Sequence, residues 1–108
     1  MEKGFCLQFN SQGFCLCKSP MINDSFLDVQ KSQALDVFSH FFSYIQSAYP
    51  YIVIYRMFYY CAPHHKVQIY FFEKKGGEIG TLTFFEKTYR SLNKLQTSIN
   101  QDFVNFSN

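Results

Sequence analysis

Apolar side chains at the start of the chain alternate with the period of a strand, and the pattern occurs twice. Gly4-Phe5-Cys6-Leu7 is followed nine residues later by Gly13-Phe14-Cys15-Leu16. Asn10-Ser11-Gln12-Gly13, between the copies, has the chemistry of a turn, so the pair predicts a β-hairpin. Centring the turn on Ser11-Gln12 sets Phe9 opposite Phe14 and Leu7 opposite Leu16 on one side. Gln8 then faces Cys15, and Cys6 faces Cys17, on the other. A strand shifted by one residue would turn every side chain over, so the agreement of turn and apolar pattern selects one register.

Ser19-Pro20 breaks the second strand, and Asn23-Asp24-Ser25 offers turn or capping chemistry. Residues 20–30 show no clear period. From about Lys31 the apolar spacing becomes helical: Leu35, Phe38, Phe42, Ile45 and Tyr49 form one stripe, with Ser32 as N-cap and Pro50 as stop. Tyr51 to Tyr60 is rich in aromatic and β-branched residues and apolar on both parities, the pattern of a central strand. Cys61-Ala62-Pro63-His64-His65 is the next turn, and Lys66 to Lys74 the next strand. Gly76-Gly77 supplies the positive φ angles of a two-residue hairpin turn. Continued from that turn, the register sets Ile69 opposite Phe84 and Phe71 opposite Leu82, with Val67 on the same side. Tyr70 opposite Thr83 and Phe72 opposite Thr81 would occupy the other side. Tyr89, Leu92, Leu95, Ile99, Phe103 and Phe106 then recur at helical spacing, with Thr88 as N-cap.

The predicted order is β-β-α-β-β-β-α. It implies an α+β fold: one domain over residues 1–108, with a five-stranded, mostly antiparallel sheet and both amphipathic helices on one face. That order differs from the β-α-β-β-α-β order of an RNA-recognition motif, and the aromatic signature of that motif is missing as well.

Composition adds one strong feature. The 108 residues include 14 Phe and 8 Tyr but no Trp. AT-rich coding is the expected source of most of this excess, since Ile, Asn and Lys are also common and Arg, Ala and Pro scarce. A sticky aromatic surface is the functional explanation, because such side chains dominate interface energetics. The net charge of +2 is too small to mark a nucleic-acid binder, but it is uneven. Residues 1–54 carry three basic and four acidic side chains, residues 55–108 seven and four. The first residues lack the charged and apolar regions of a signal peptide, and the run from Tyr51 to Ala62 is too short to span a bilayer and holds Arg56. The expectation is a cytoplasmic protein, with no membrane partner and its four cysteines reduced.

Sites of chemistry are few. Cys61-x-x-His64 and the Cys6/Cys17 pair contain zinc-ligand types, yet the cysteine pair sits on extended strands rather than knuckle-like turns, so no metal is expected. Pairing Cys61 with His64 or His65 as nucleophile and base lacks an orienting carboxylate. Gly76-Gly77 joins two strands and lacks the helix and Lys-Ser/Thr of a phosphate loop. Carboxylates are scattered. The expectation is a protein without enzymatic activity or cofactor.

What remains is a sheet face that two helices on one side would leave uncovered. It would carry Tyr70, Phe72 and Phe85 among Gln68, Thr81 and Thr83, and the Tyr51/Tyr55/Tyr59 row is the better parity of the preceding strand. Tyr51, Tyr55, Tyr59, Tyr70 and Phe72 are therefore the candidate protein-binding residues. Lys74, Lys75, Lys87, Arg90 and Lys94 are candidate basic contacts. The leading expectation is a small protein-binding module. A compact domain of this composition without a catalytic constellation also fits a phage or mobile-element inhibitor of a host defence complex, of the anti-CRISPR kind. One alternative is a nucleic-acid-binding module that uses the aromatic face and the basic C-terminal half. Another is a structural homodimer.

Overall fold

The computed structural model describes residues 3–10, 13–16 and 25–107, with side chains at 4–7 and 32–107. The elements follow in the order β1 (Lys3–Asn10), β2 (Gly13–Leu16), α1 (Ser25–Ala48), β3 (Ile52–Ala62), β4 (His65–Lys75), β5 (Glu78–Tyr89) and α2 (Leu92–Ser107). The fold is α+β, with every strand pair antiparallel. Four long strands run β1-β3-β4-β5, and short β2 pairs with the outer edge of β1.

The β1–β2 register has Leu7 opposite Leu16, Gln8 opposite Cys15 and Phe9 opposite Phe14, as the alternation predicts. Cys17 lies outside the described residues. Gly4 faces Tyr60 where β1 meets β3, and a Cβ there would collide with the Tyr59 carbonyl oxygen and the Tyr60 backbone. Glycine is what lets the two strands approach.

Helix α1 begins at Ser25, well before the predicted start near Lys31, and Ser32 lies inside it rather than capping it. No Gly or Pro interrupts residues 25–48, so nothing in the backbone stops the helix short of Pro50. Helix α2 starts later than predicted. Thr88 is paired opposite Lys66 in the sheet, and Ser91 is the cap, its Oγ accepting from the Lys94 amide at 3.2 Å.

The core lies between the sheet and both helices. Ala34, Val37, Phe38, Phe41, Phe42 and Ile45 of α1 and Leu95, Ile99 and Phe103 of α2 meet buried residues from β1, β3, β4 and β5. Phe103 sits at the centre, edge-on to Phe41 at 5.5 Å, Phe71 at 4.9 Å and Phe85 at 5.5 Å. Phe38 of α1 packs on Tyr59 of β3 in the same way. Both helices therefore cover one face of the sheet. Tyr89 ties α2 to the end of β5, its hydroxyl donating to Asp102 Oδ2 at 2.9 Å.

Two bulges decide which side chains reach that core. In β5, Lys75 faces Glu78 and Lys74 faces Ile79, the register set by Gly76 (φ 61°) and Gly77 (φ 86°). The register then shifts by one residue, because Gly80 and Thr81 together oppose Glu73. Beyond the shift Ile69 faces Phe85, Phe71 faces Thr83, Tyr70 faces Phe84 and Phe72 faces Leu82. The predicted pairs Ile69–Phe84, Phe71–Leu82, Tyr70–Thr83 and Phe72–Thr81 do not form. Phe85 moves into the core at 3% exposure, while Leu82 and Phe84 move out to 49% and 42%. In β3 the extra residue is Tyr55, between Ile54 opposite Phe71 and Arg56 opposite Tyr70. Ile52 and Ile54 face inward before it; Met57, Tyr59 and Cys61 face inward after it.

Candidate protein-binding face

The strand registers lay out the sheet face opposite the helices as rows. Tyr60, Lys66 and Thr88 form the first, and Phe58, Gln68 and Glu86 the second. Arg56, Tyr70 and Phe84 follow, then Val53, Phe72 and Leu82, and last Lys74 with Ile79. The extra residue Tyr55 lies against Phe72, ring centroids 5.9 Å apart. Tyr70 packs between Phe84, at 4.8 Å, and Phe58, at 6.2 Å. One end of the face is thus apolar and aromatic, and the other polar, where Gln68 Nε2 donates to Glu86 Oε2 at 3.1 Å.

The exposure of this surface follows from chain geometry. Residues of alternating parity must leave the core-facing side of a strand, and the bulges put Tyr55, Leu82 and Phe84 on the outer side beside Tyr70 and Phe72. Ile79, Leu82, Phe84 and Tyr55 are exposed; Phe58, Tyr60, Tyr70 and Phe72 are half-buried by one another. Monomeric proteins seldom leave a contiguous apolar patch of this kind uncovered without use.

Two cations join the rings. Lys66 Nζ lies 4.6 Å from the Tyr60 ring centre, and the Arg56 guanidinium carbon 5.6 Å from that of Tyr55. Arg56 Nε is buried and has no hydrogen-bond acceptor among the described residues. A buried donor in that state costs about 1–3 kcal/mol until an acceptor reaches it.

The candidate residues divide accordingly. Tyr55, Tyr70 and Phe72 come together on this face. Tyr59 does not: the bulge at Tyr55 reverses the parity of β3, and Tyr59 is 0% exposed in the core. Its hydroxyl meets His65 Nδ1 at 2.5 Å, donating in the tautomer that carries the ring proton on Nε2. Burial pushes the Tyr59 hydroxyl well above its ordinary range and lowers His65. Tyr51 is exposed, and its ring packs edge-on to Tyr49, which in turn meets Tyr44, at the end of α1. Sequence reasoning missed Leu82, Phe84 and Ile79 on this face and placed Phe85 there instead. The available signal was Gly80, since glycine inside a strand often marks a bulge.

The five basic candidates do not form one patch. Lys74 and Lys75 flank the β4–β5 turn, whereas Lys87 lies at the far end of β5 with Arg90 and Lys94 beyond it. The nine steps of strand from Glu78 to Lys87 span roughly 30 Å. All five side chains are exposed.

Cys6 faces Phe58 on the outer side of the sheet, and Cys61 is buried on the inner side, so the two cannot share a metal ion. Among the described residues no group of three or more metal-ligating side chains comes together. An open hollow of about 250 Å³ beside the start of β3 is lined by apolar side chains and Gln46, with no acid–base pair. No helix of the described residues is long and apolar enough to cross a membrane. No protein family, curated protein or solved structure matches this chain.

Proposed function

We propose that this chain is a non-enzymatic protein-binding module whose contact surface is the sheet face centred on Tyr70 and Phe72. The observation that carries the reading is the contiguous set Tyr55, Tyr70, Phe72, Leu82, Phe84 and Ile79 on the side away from both helices. Large aromatics ringed by polar groups are the usual composition of an interface centre. The unpartnered Arg56 Nε adds a requirement: the partner supplies a carboxylate or carbonyl acceptor there. The narrower reading, a cytoplasmic inhibitor of a host defence complex of the anti-CRISPR kind, goes with this proposal and rests on composition rather than on any residue.

The geometry favours protein over nucleic acid. Base stacking needs a ring face presented flat and free. Here Tyr55 stands at 76° to Phe72 and Phe58 at 82° to Tyr70, so these rings meet edge to face rather than lying side by side as one flat platform. Glu86 lies on the same surface beside Arg56 and Lys66, and the five basic candidates are split between the two ends of β5.

The test is affinity capture from host cells after nuclease treatment, comparing the wild type with Tyr70→Ala and Phe72→Ala. A stoichiometric protein partner that survives nuclease and is lost with either variant is the expected result. Each substitution should weaken the complex by about 2 kcal/mol or more while the fold is retained. Capture that depends on nucleic acid, or that ignores both variants, contradicts the proposal.

A further inference from the structure

The outer edge of β5 is a second unsatisfied surface, distinct from the sheet face. β5 ends the strand order on its side: one edge pairs with β4 and, among the described residues, no strand pairs with the other. Such an edge presents a row of backbone donors and acceptors, and proteins usually blunt it with proline or charge. The stretch Thr81-Leu82-Thr83-Phe84-Phe85 has neither. Seven large apolar side chains of the described residues are exposed, and four of them flank this edge. Ile79, Leu82 and Phe84 lie on the outer side of the sheet. Phe106 of α2 lies on the helix side, its ring 5.3 Å from Phe85. Apolar exposure on both sides of an unpaired strand is what an interface through that strand requires.

We propose that the occupant of this edge is a second copy of the chain, β5 against β5, about a two-fold axis at Thr83 perpendicular to the sheet. The strand is self-complementary in that arrangement. Leu82 of each copy lies opposite Phe84 of the other, and Thr83 opposite Thr83. Allowing for the extra residue of the Gly80–Thr81 bulge, Glu78 of each copy comes opposite Lys87 of the other, which makes two symmetric ion pairs. A shift by two residues one way sets Leu82 against the Glu86 carboxylate; a shift the other way sets Glu78 against Phe85. Only the central register sets Glu78 opposite Lys87 in both halves; it also places Ile79 opposite Glu86, the one mismatch along the seam. Phe106, packed on Phe85 and Phe71 next to Thr83, comes near its counterpart on the helix side. The axis keeps both outer faces on one side, so the two Tyr70–Phe72 surfaces join. The inference stands on the edge alone and does not need the proposed function.

Sedimentation equilibrium from about 1 µM to about 1 mM covers the range in which an interface of this small size is populated. A monomer–dimer equilibrium is expected, with the Leu82 and Phe84 amides exchanging more slowly as concentration rises. Lys87→Glu, at an exposed position, should weaken the dimer at least roughly tenfold by setting like charges opposite. Adding Glu78→Lys to it should restore the wild-type constant, and Phe84→Lys should leave only monomer. A monomer at every concentration overturns the proposal, as does a dimer indifferent to Lys87→Glu and Phe84→Lys. A dimer lost in Lys87→Glu and not restored in the double variant overturns the register. An exposed-patch control, Tyr44→Ala, should leave the constant unchanged, and a loss there also counts against the β5 edge.

Discussion

Replacing Gly80 with alanine decides whether the β5 bulge is built as described, because two effects of opposite sign compete there. Gly80 does not have a positive φ, the positive values belonging to Gly76 and Gly77. At such a position Gly→Ala normally stabilises a protein by about 0.4–1 kcal/mol, through the lower entropy of the unfolded chain. A Cβ on Gly80, however, would stand 2.9 Å from the Glu73 carbonyl oxygen, about 0.5 Å inside ordinary contact. That oxygen belongs to backbone held on both sides, with Glu73 opposite Ile52 of β3 as well as β5. It has little freedom to yield. Overpacking of this kind costs about 1–3 kcal/mol, so the clash outweighs the entropy gain and the net effect is destabilisation by about 1–2 kcal/mol. Urea unfolding should show a midpoint lower by roughly 0.5–1 M at unchanged slope, for a slope of about 2 kcal/mol/M. A midpoint that stays or rises would mean that Gly80 does not approach Glu73. The bulge, and with it the outward position of Leu82 and Phe84, would then be wrong.

Phe103→Ala removes the ring around which Phe41, Phe71 and Phe85 pack and should cost about 3–5 kcal/mol in the same unfolding assay. Tyr59 and Tyr89 titrate above their ordinary value of 10.0, both chiefly through burial, and Tyr89 also through its bond to Asp102. Their contribution is whole below pH 10 and fades as pH rises further, so stability should fall above pH 10, less steeply in Tyr89→Phe. His65 is lowered from 6.5 by burial, so the unfolded chain binds its proton more readily. Its contribution is whole above pH 6.5 and is lost as pH falls below that value, and unfolding curves for His65→Gln should lose this acid-side slope.

The elements of this fold are written in local patterns, and the face that each strand presents is not. The β1–β2 hairpin was legible because turn and alternation agree over a short, regular pair. At β4–β5 the turn also gave the right starting register, with Lys75 opposite Glu78, but one inserted residue turned the rest of the strand over. Leu82 and Phe84 are as apolar as Phe85, so hydrophobicity could not say which of them belonged inside; Gly80 could. The bulge at Tyr55 had no such marker, because β3 is apolar on both parities and either assignment buries hydrocarbon. Tyr59 was misplaced for that reason. Helix boundaries failed where capping residues competed: Ser32 and Thr88 have cap chemistry, but the unbroken run from Ser25 and the pairing of Thr88 with Lys66 prevail over it.

We propose that this protein meets its partner on the sheet face away from the helices. Hydroxyl-radical footprinting of the captured complex, read by mass spectrometry residue by residue, tests that most directly. Tyr55, Tyr70, Phe72 and Phe84 should lose reactivity on binding, while exposed Tyr44 and Tyr51 at the end of α1 keep theirs. Protection of Tyr44 and Tyr51 with Tyr55, Tyr70 and Phe72 still reactive would contradict the account.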